Sequence, residues 1–219
     1  AITNYCNGML SRMKGQQIEE ADLIWALEKT SHQAQRAGQI IHRIRSFVKR
    51  SEPNRSASDV VNMVDEAVEL AEIELRRRNV RLSHYVAARL PKIEVDPILI
   101  EQVLINLMKN AAESIDNAER PVGKRHVELR VVPKVIAAQN TVHFSVTDTG
   151  KGLPPQVMER LYEAFFSTKV EGMGIGLNLC RTIVESHQGR ITAENLYNAD
   201  EVVGCCFSFW IPATAISPH

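Results

Sequence analysis

The sequence has no surplus of either charge: Lys plus Arg and Asp plus Glu both total 26, so the formal net charge is zero. A balanced chain has no global field with which to hold nucleic acid. Its densest basic run, Arg76-Arg77-Arg78, reads as a solvated helix end. Cysteine is scarce. Cys6, Cys180, Cys205 and Cys206 show no C-x-x-C spacing and no nearby histidine cluster, which argues against a disulfide framework or a structural metal site. They read as reduced, mostly packed thiols of a cytoplasmic protein. No apolar run approaches the roughly 18 residues of a membrane span, and there is no signal-peptide pattern, so no membrane contact is expected from these residues.

What is present is a chain of 219 residues, long enough for one large domain or a moderate domain with a smaller element. It begins with Ala rather than Met, which reads as a piece of a longer protein. From residue 23, Leu23, Leu27, Thr30, Ala34, Ala37, Ile41, Ile44 and Val48 repeat at alternating steps of four and three, a heptad seam. Ile2, Cys6, Met9 and Met13 repeat the same steps, with Gly15-Gln16-Gln17 as a short connection. This predicts an antiparallel helical hairpin over residues 1–52, with part of its first helix lying before Ala1. Two such hairpins would pair into a four-helix dimer; the alternative is a helical pair folded onto its own domain.

Pro53-Asn54-Arg55-Ser56 breaks the long helix and opens a second domain, residues 53–219. The pattern there predicts a helix over 60–78, strands near 80–87 and 92–95, and a helix opened by Asp96-Pro97. That helix has an apolar side, Ile100, Leu104, Leu107, Ala111 and Ile115. Beside it runs a polar stripe, Gln102, Asn106, Asn110 and Glu113. Asn is a poor helix former, so two of them one turn apart suggest a metal or ligand role, or else an amide ladder in a wet cleft. Further strands are expected over 127–132, through Val142, Phe144 and Val146 up to Asp148, over 190–195, and over 205–211 beginning after Gly204. Residues 213–219 read as a frayed tail. Strands and helices mix without β-α-β alternation, so the fold class is α+β, a two-layer α/β sandwich.

Residues 148–177 hold two glycine clusters. D-T-G-K-G-L-P puts Asp148 at a strand end with Gly150 and Gly152 beyond it; G-M-G-I-G-L places Gly172, Gly174 and Gly176 at the start of a helix. Helix N-termini favour phosphate, because their amides are unpaired and the dipole is positive there. G-x-x-x-x-G-K-[ST] occurs nowhere, and residues 172–176 lack the Rossmann spacing.

The sequence N-L-M-K-N-A from Asn106, then D-T-G-K-G-L-P, F-F-S-T-K and G-M-G-I-G-L resembles, in order and spacing, the N, first glycine, phenylalanine and second glycine boxes of sensor histidine kinases. A-G-Q-I-I-H-R-I-R-S-F-V at 37–48 is similar to the second dimerisation helix of the oxygen-sensing and C4-dicarboxylate-sensing kinases. The resemblance covers nearly the whole chain. It implies the Bergerat ATP-binding fold and a protein histidine kinase of a bacterial two-component system, which uses ATP and Mg²⁺ and relays phosphate to a response-regulator receiver domain.

By the same resemblance, Asn110 holds Mg²⁺, Asn106 faces the phosphates, and Asp148 accepts the adenine amine between Gly150 and Gly152. Leu153 to Glu171 form an ATP lid latched by Phe165 and Phe166, with Thr168 on the nucleotide and Lys169 touching phosphate. Gly172, Gly174, Ile175, Gly176 and Leu177 wrap the phosphates. The acceptor histidine is expected before Ala1, not at His32 or His42, so this chain by itself is expected to bind ATP without autophosphorylating. Glu113 stands where many of these kinases are basic, which leaves phosphate charge to Mg²⁺ and the lid. Two other readings remain: a water-activating ATPase of the same superfold, whose base Glu is replaced here by Asn106, and a non-catalytic scaffold with a vestigial site.

Overall fold

A computed structural model describes residues 2–15, 19–31, 33–34, 54–168 and 174–214. The chain divides into two compact units, residues 1–52 and 53–219.

In the first unit, α1 (Ile2–Lys14) is followed by α2, helical over residues 20–31 and 33–34. Arg12 pairs with Asp22 at 2.8 Å, and Tyr5 meets Trp25 edge-on at 5.5 Å, so the helices run antiparallel. The buried position of α2 is Ala26; Leu27, on the expected seam, is 60% exposed. Cys6 and Met13 of α1 are likewise exposed. A small residue at 26 fits between two helices, and Met9 and Leu23 of the seam are half-buried beside it. The seam positions from Ala37 to Val48 lie outside the described residues.

The second unit opens with β1 (Ser56–Ser58), a strand the sequence did not signal, then α3 (Val60–Arg77), β2 (Arg81–Val86), β3 (Ile93–Val95) and α4 (Pro97–Asp116). A 3-10 turn, Val122–Lys124, leads to β4 (His126–Ile136) and β5 (Gln139–Asp148). They are followed by α5 (Pro155–Glu159), α6 (Gly176–Ser186), β6 (Arg190–Asn198) and β7 (Glu201–Pro212). β1 pairs with β3, and the main sheet runs β2-β4-β5-β7-β6, with only the β2–β4 pair parallel.

The period-2 pattern decides which face of the sheet is covered. Val127, Leu129, Val131, Val142, Phe144, Val146, Phe207, Phe209 and Ile211 are buried, while their alternates, apart from buried Thr141, are half-exposed or exposed. α3, α4 and α6 pack on that face, and the Phe144 and Phe209 rings stack at 4.6 Å across β5 and β7. The result is the expected two-layer α+β arrangement. α4 is its centre: Ile100, Leu104, Leu107, Ala111 and Ile115 are all at most 2% exposed. Leu107→Ala should therefore cost about 2–5 kcal/mol, since its neighbours on both layers cannot collapse into the space; the urea midpoint of unfolding measures it.

Three expectations change. Gly204 lies inside β7 rather than before it, because Asp148 of the neighbouring strand comes so close that a Cβ at 204 would sit 1.9 Å from its carbonyl oxygen. Ala213 and Thr214 are not frayed: their amides donate to Asn140 and Lys92 carbonyls at 2.8 Å. Arg78 is not a solvated end. Its guanidinium bonds Glu74 and Asp116 and is 28% exposed, whereas Arg76 and Arg77, paired with Glu72 and Glu74, are 80% and 82% exposed.

Candidate functional site

The site is built outward from α4. Asp96 caps the helix by accepting from the Leu99 amide, and Pro97 occupies the first turn, where no amide hydrogen is needed. The Asp96 amide donates to Nε2 of His187 at 3.1 Å, and His187 Nδ1 donates to the Ile183 carbonyl at 2.8 Å. Those two bonds require a neutral ring, in keeping with burial that holds this imidazole below its ordinary pKa. His187 thereby ties the start of α4 to the end of α6.

With α6 docked in this way, the polar stripe of α4 meets both glycine clusters. Asn106 Nδ2 lies 3.1 Å from Cys180 Sγ on α6, and its amide packs on Gly176, where a Cβ would come within 2.9 Å of Oδ1. Two turns along, Ser114 packs on Gly150, where a Cβ would sit 2.1 Å from the hydroxyl oxygen. Half-buried Asn110 lies between them. Asn106 and Ser114 are eight residues apart, about 12 Å along a helix. Ser114 continues the four-residue step from Asn106 and Asn110, a signal present in the sequence.

Asp148 closes β5 and is 2% exposed. Its Oδ1 accepts from the Gly150 amide at 2.7 Å, and the Ser114 hydroxyl and the Cys205 backbone also bond to the carboxylate. Burial nevertheless dominates and pushes its pKa up to about 6. Gly152 takes φ +69 and lies so close to Asn195 and Val202 that no side chain fits. Behind the loop, Arg120 donates to the carbonyls of Thr149 (3.0 Å) and Gly150 (3.2 Å). Asn195 of β6 holds both the amide and the carbonyl of Leu153 at 2.8 Å. Arg120 and Asn195 belong to no motif of the sequence.

The segment between the clusters contains α5 and folds back on itself. Asn178 Nδ2 donates to the Tyr162 carbonyl at 2.9 Å, and the Arg160 guanidinium covers the Phe166 ring at 4.4 Å. The Phe165 amide donates to the Gly174 carbonyl at 2.9 Å, with Phe165 at φ +66 and Gly174 at φ +65. Phe165 is 69% exposed, Phe166 is half-buried and Thr168 is exposed. Tyr162, a residue not anticipated, has a buried hydroxyl without a hydrogen-bond partner among the described residues; burial raises its pKa. Ile175 precedes α6, whose first turn carries no side-chain cap, and Leu177 lies within that turn, half-buried. Lys169 and Gly172 lie outside the described residues.

Residues 95–215 match the family model described as "Histidine kinase-, DNA gyrase B-, and HSP90-like ATPase". The chain is 36% identical over 214 residues to sensor protein FixL of Bradyrhizobium diazoefficiens, covering 97% of this chain and 40% of that protein. It is 37% identical over 192 residues to the C4-dicarboxylate transport sensor protein DctS of Rhodobacter capsulatus, covering 88% of this chain and 28% of that one. The chain thus spans less than half the length of either relative. Among solved structures, the catalytic domain of histidine kinase ThkA superposes with a TM-score of 0.58 at 28% identity, over 74% of this chain and 97% of that domain. Full-length ShkA in complex with AMPPNP superposes at 0.65 with 22% identity, over 92% of this chain and 41% of that one, a likeness of fold. The chain belongs to the family of histidine kinase-, DNA gyrase B- and HSP90-like ATPases.

Proposed function

We propose that residues 53–219 bind Mg²⁺-ATP and donate its γ-phosphoryl group to a histidine on a helical hairpin, as the kinase part of a two-component sensor. The observation that carries this reading is the stripe on α4. One polar helix face touches the first glycine loop at Ser114 and the second at Asn106, an interval on the scale of an extended nucleoside triphosphate. Asp148 then receives the adenine amine, Gly150 and Gly152 let the base approach, and the uncapped amides at Gly174, Ile175, Gly176 and Leu177 meet the phosphates. Residues 153–171 would be a lid over them, latched by Phe165 and Phe166, with Thr168 on the nucleotide; Lys169 would touch phosphate and Gly172 would join the glycines that wrap it.

Among the described residues no three His, Cys, Asp or Glu side chains cluster as metal ligands. The amide oxygens of Asn106 and Asn110 would suit Mg²⁺, which takes a ligand or two from the protein and the rest from phosphates and water. Asn110 would supply the protein oxygen, with Asn106 one turn away, and the ion would neutralise phosphate charge. The chain's own part is to position the donor and exclude water; the γ-phosphorus leaves ADP and bonds to an imidazole nitrogen. Asn106 offers an amide rather than a carboxylate, so it does not deprotonate water, which favours transfer over hydrolysis.

Residues 1–52 would be the dimerisation and phosphotransfer hairpin. Exposed Leu10, Met13, Ile24 and Leu27 are the surface a second copy would cover. The partner that receives the phosphate would be a response-regulator receiver domain, on the cytoplasmic side. No described helix is long and apolar enough to cross a membrane.

The test is calorimetric titration with ATP, with and without Mg²⁺. The chain should bind Mg²⁺-ATP, and Asn110→Ala should weaken that binding by roughly 100-fold, in line with the loss of a charge-assisted contact of about 2–3 kcal/mol, while leaving metal-free binding almost unchanged. Undiminished Mg²⁺-ATP binding by the variant would sink the metal assignment. For the kinase step, a chain extended before Ala1 should take acid-labile label from γ-³²P-ATP.

A further inference from the structure

The hydrogen bonds behind the first glycine loop form a continuous bracket that base binding alone does not require. The peptide between Thr149 and Gly150 is the key plane. Its N–H bonds Asp148 Oδ1 at 2.7 Å, and its carbonyl accepts from Arg120 Nε at 3.0 Å. Arg120 also takes the next carbonyl, that of Gly150. One guanidinium therefore fixes the tilt of the peptide that orients the Asp148 carboxylate. Arg120 is itself braced. Its carbonyl accepts from Arg125 Nε at 2.8 Å, and Arg125 Nη1 reaches the Arg78 carbonyl at 2.9 Å and Asp116 Oδ1 at 2.8 Å. Asp116 is shared with Arg78, which caps the C-terminal end of α3. The Thr149 hydroxyl donates to the Lys124 carbonyl and accepts from the His126 amide, closing the same bracket.

The far end of the loop is held in the same manner by a different element. Asn195 of β6 accepts from the Leu153 amide and donates to the Leu153 carbonyl, both at 2.8 Å, and its side chain fills the space a Cβ on Gly152 would need. A two-point hold on each end leaves the loop 149–153 few ways to tilt. A carboxylate can select one exocyclic amine over a carbonyl only where it is held to a fraction of an ångström.

We propose that Arg120 and Asn195 are positioning residues that set the base preference of the nucleotide site, adenine over guanine, by holding the two ends of the loop that aims Asp148. The inference rests on the ATP reading above. Neither side chain is required to touch the nucleotide.

The experiment uses the whole chain with Arg120→Gln and, separately, Asn195→Asp, which keeps the shape of Asn195 but removes its donor. Dissociation constants for Mg²⁺-ATP and Mg²⁺-GTP are measured beside the melting temperature. Each variant should weaken ATP about tenfold and GTP hardly at all, so that the ATP-to-GTP preference falls about tenfold; a purely structural loss would weaken both alike. Amide exchange at Gly150 and Leu153 in the nucleotide-free chain should speed up in the matching variant. A wild type that binds ATP no better than GTP overturns the adenine reading and this inference together. A wild type that prefers ATP, with folded variants that keep the full preference, overturns the inference alone. If one variant does not fold, the other decides, because the two act from separate elements.

Discussion

Asp148→Asn is expected to weaken ATP binding 10- to 100-fold and, at pH 7.5, to raise the melting temperature of the nucleotide-free chain. The first effect follows from replacing a carboxylate acceptor by an amide, in a contact of about 1.5–3 kcal/mol. The second follows from burial. Asp148 is 2% exposed and its pKa is pushed up to about 6 from an ordinary 3.8, even with the Gly150 amide bonded to it. The folded chain therefore holds this proton more tightly than the unfolded chain does. Stability falls as pH rises through about 4 to 6, and above that window the whole penalty of keeping the ionised group buried is present. At about 1.4 kcal/mol per pH unit it is on the order of 3 kcal/mol. The amide removes the charge but loses part of the acceptor set, so the net gain should be smaller, about 1–2 kcal/mol. Thermal melts should show the advantage shrinking below pH 6 and vanishing near pH 4. ATP affinity of the wild type should fall about tenfold between pH 7 and pH 5 as the acceptor is protonated, and the Asn variant should lose that dependence. A variant no more stable than wild type at pH 7.5 would mean that Asp148 is solvated better than its burial implies.

The same residue shows what could be read from the sequence and what could not. Asp148 at a strand end, the Asp96-Pro97 start of α4 and the apolar side of α4 were legible because each depends on neighbours a few residues away. So was the order of the four boxes. Arg120 was not legible. It sits in the connection between α4 and β4, which has no periodicity, and its partners at 149 and 150 are about thirty residues on, joined through main-chain carbonyls that carry no sequence signal. Asn195 lies 42 residues from Leu153 and reads as one polar position on a strand.

Gly204 was misread for a related reason. A glycine suggests a chain break when seen alone, whereas here it admits the Asp148 carbonyl of the next strand. The β4–β5 turn hid in another way. Ala137 and Ala138 both take positive φ without a glycine or asparagine to announce it, held there by the long register on either side. In the hairpin, the heptad pattern gave the helices, but burial at Ala26 rather than Leu27 depends on how closely two helices approach, which spacing does not encode.

Gly150→Ala should destroy nucleotide binding where Gly123→Ala leaves it intact, although both add one methyl group to a loop glycine. At Gly123 nothing lies within 4 Å, so the substitution should be neutral or slightly stabilising, by reducing the freedom of the unfolded chain. At Gly150 the new carbon would sit 2.1 Å from Ser114 Oγ, 2.7 Å from Asp148 Oδ1 and 2.9 Å from the Ser114 carbonyl carbon. The hydroxyl can rotate away. The Ser114 backbone cannot, since it belongs to α4, whose flanking residues Ala111, Ala112 and Ile115 are buried. The loop must move instead, and with it the peptide that orients Asp148. We expect a loss of stability of about 1–3 kcal/mol, typical of overpacking, and ATP binding weakened at least 100-fold. Adding Ser114→Gly should recover part of the stability by removing the closest contact and little of the affinity, because the backbone contact at 2.9 Å remains. Calorimetric titration and thermal melts of the three variants separate these effects. Full recovery of ATP binding in the double variant would show that the hydroxyl alone, and not the α4 backbone, limits how the loop is seated.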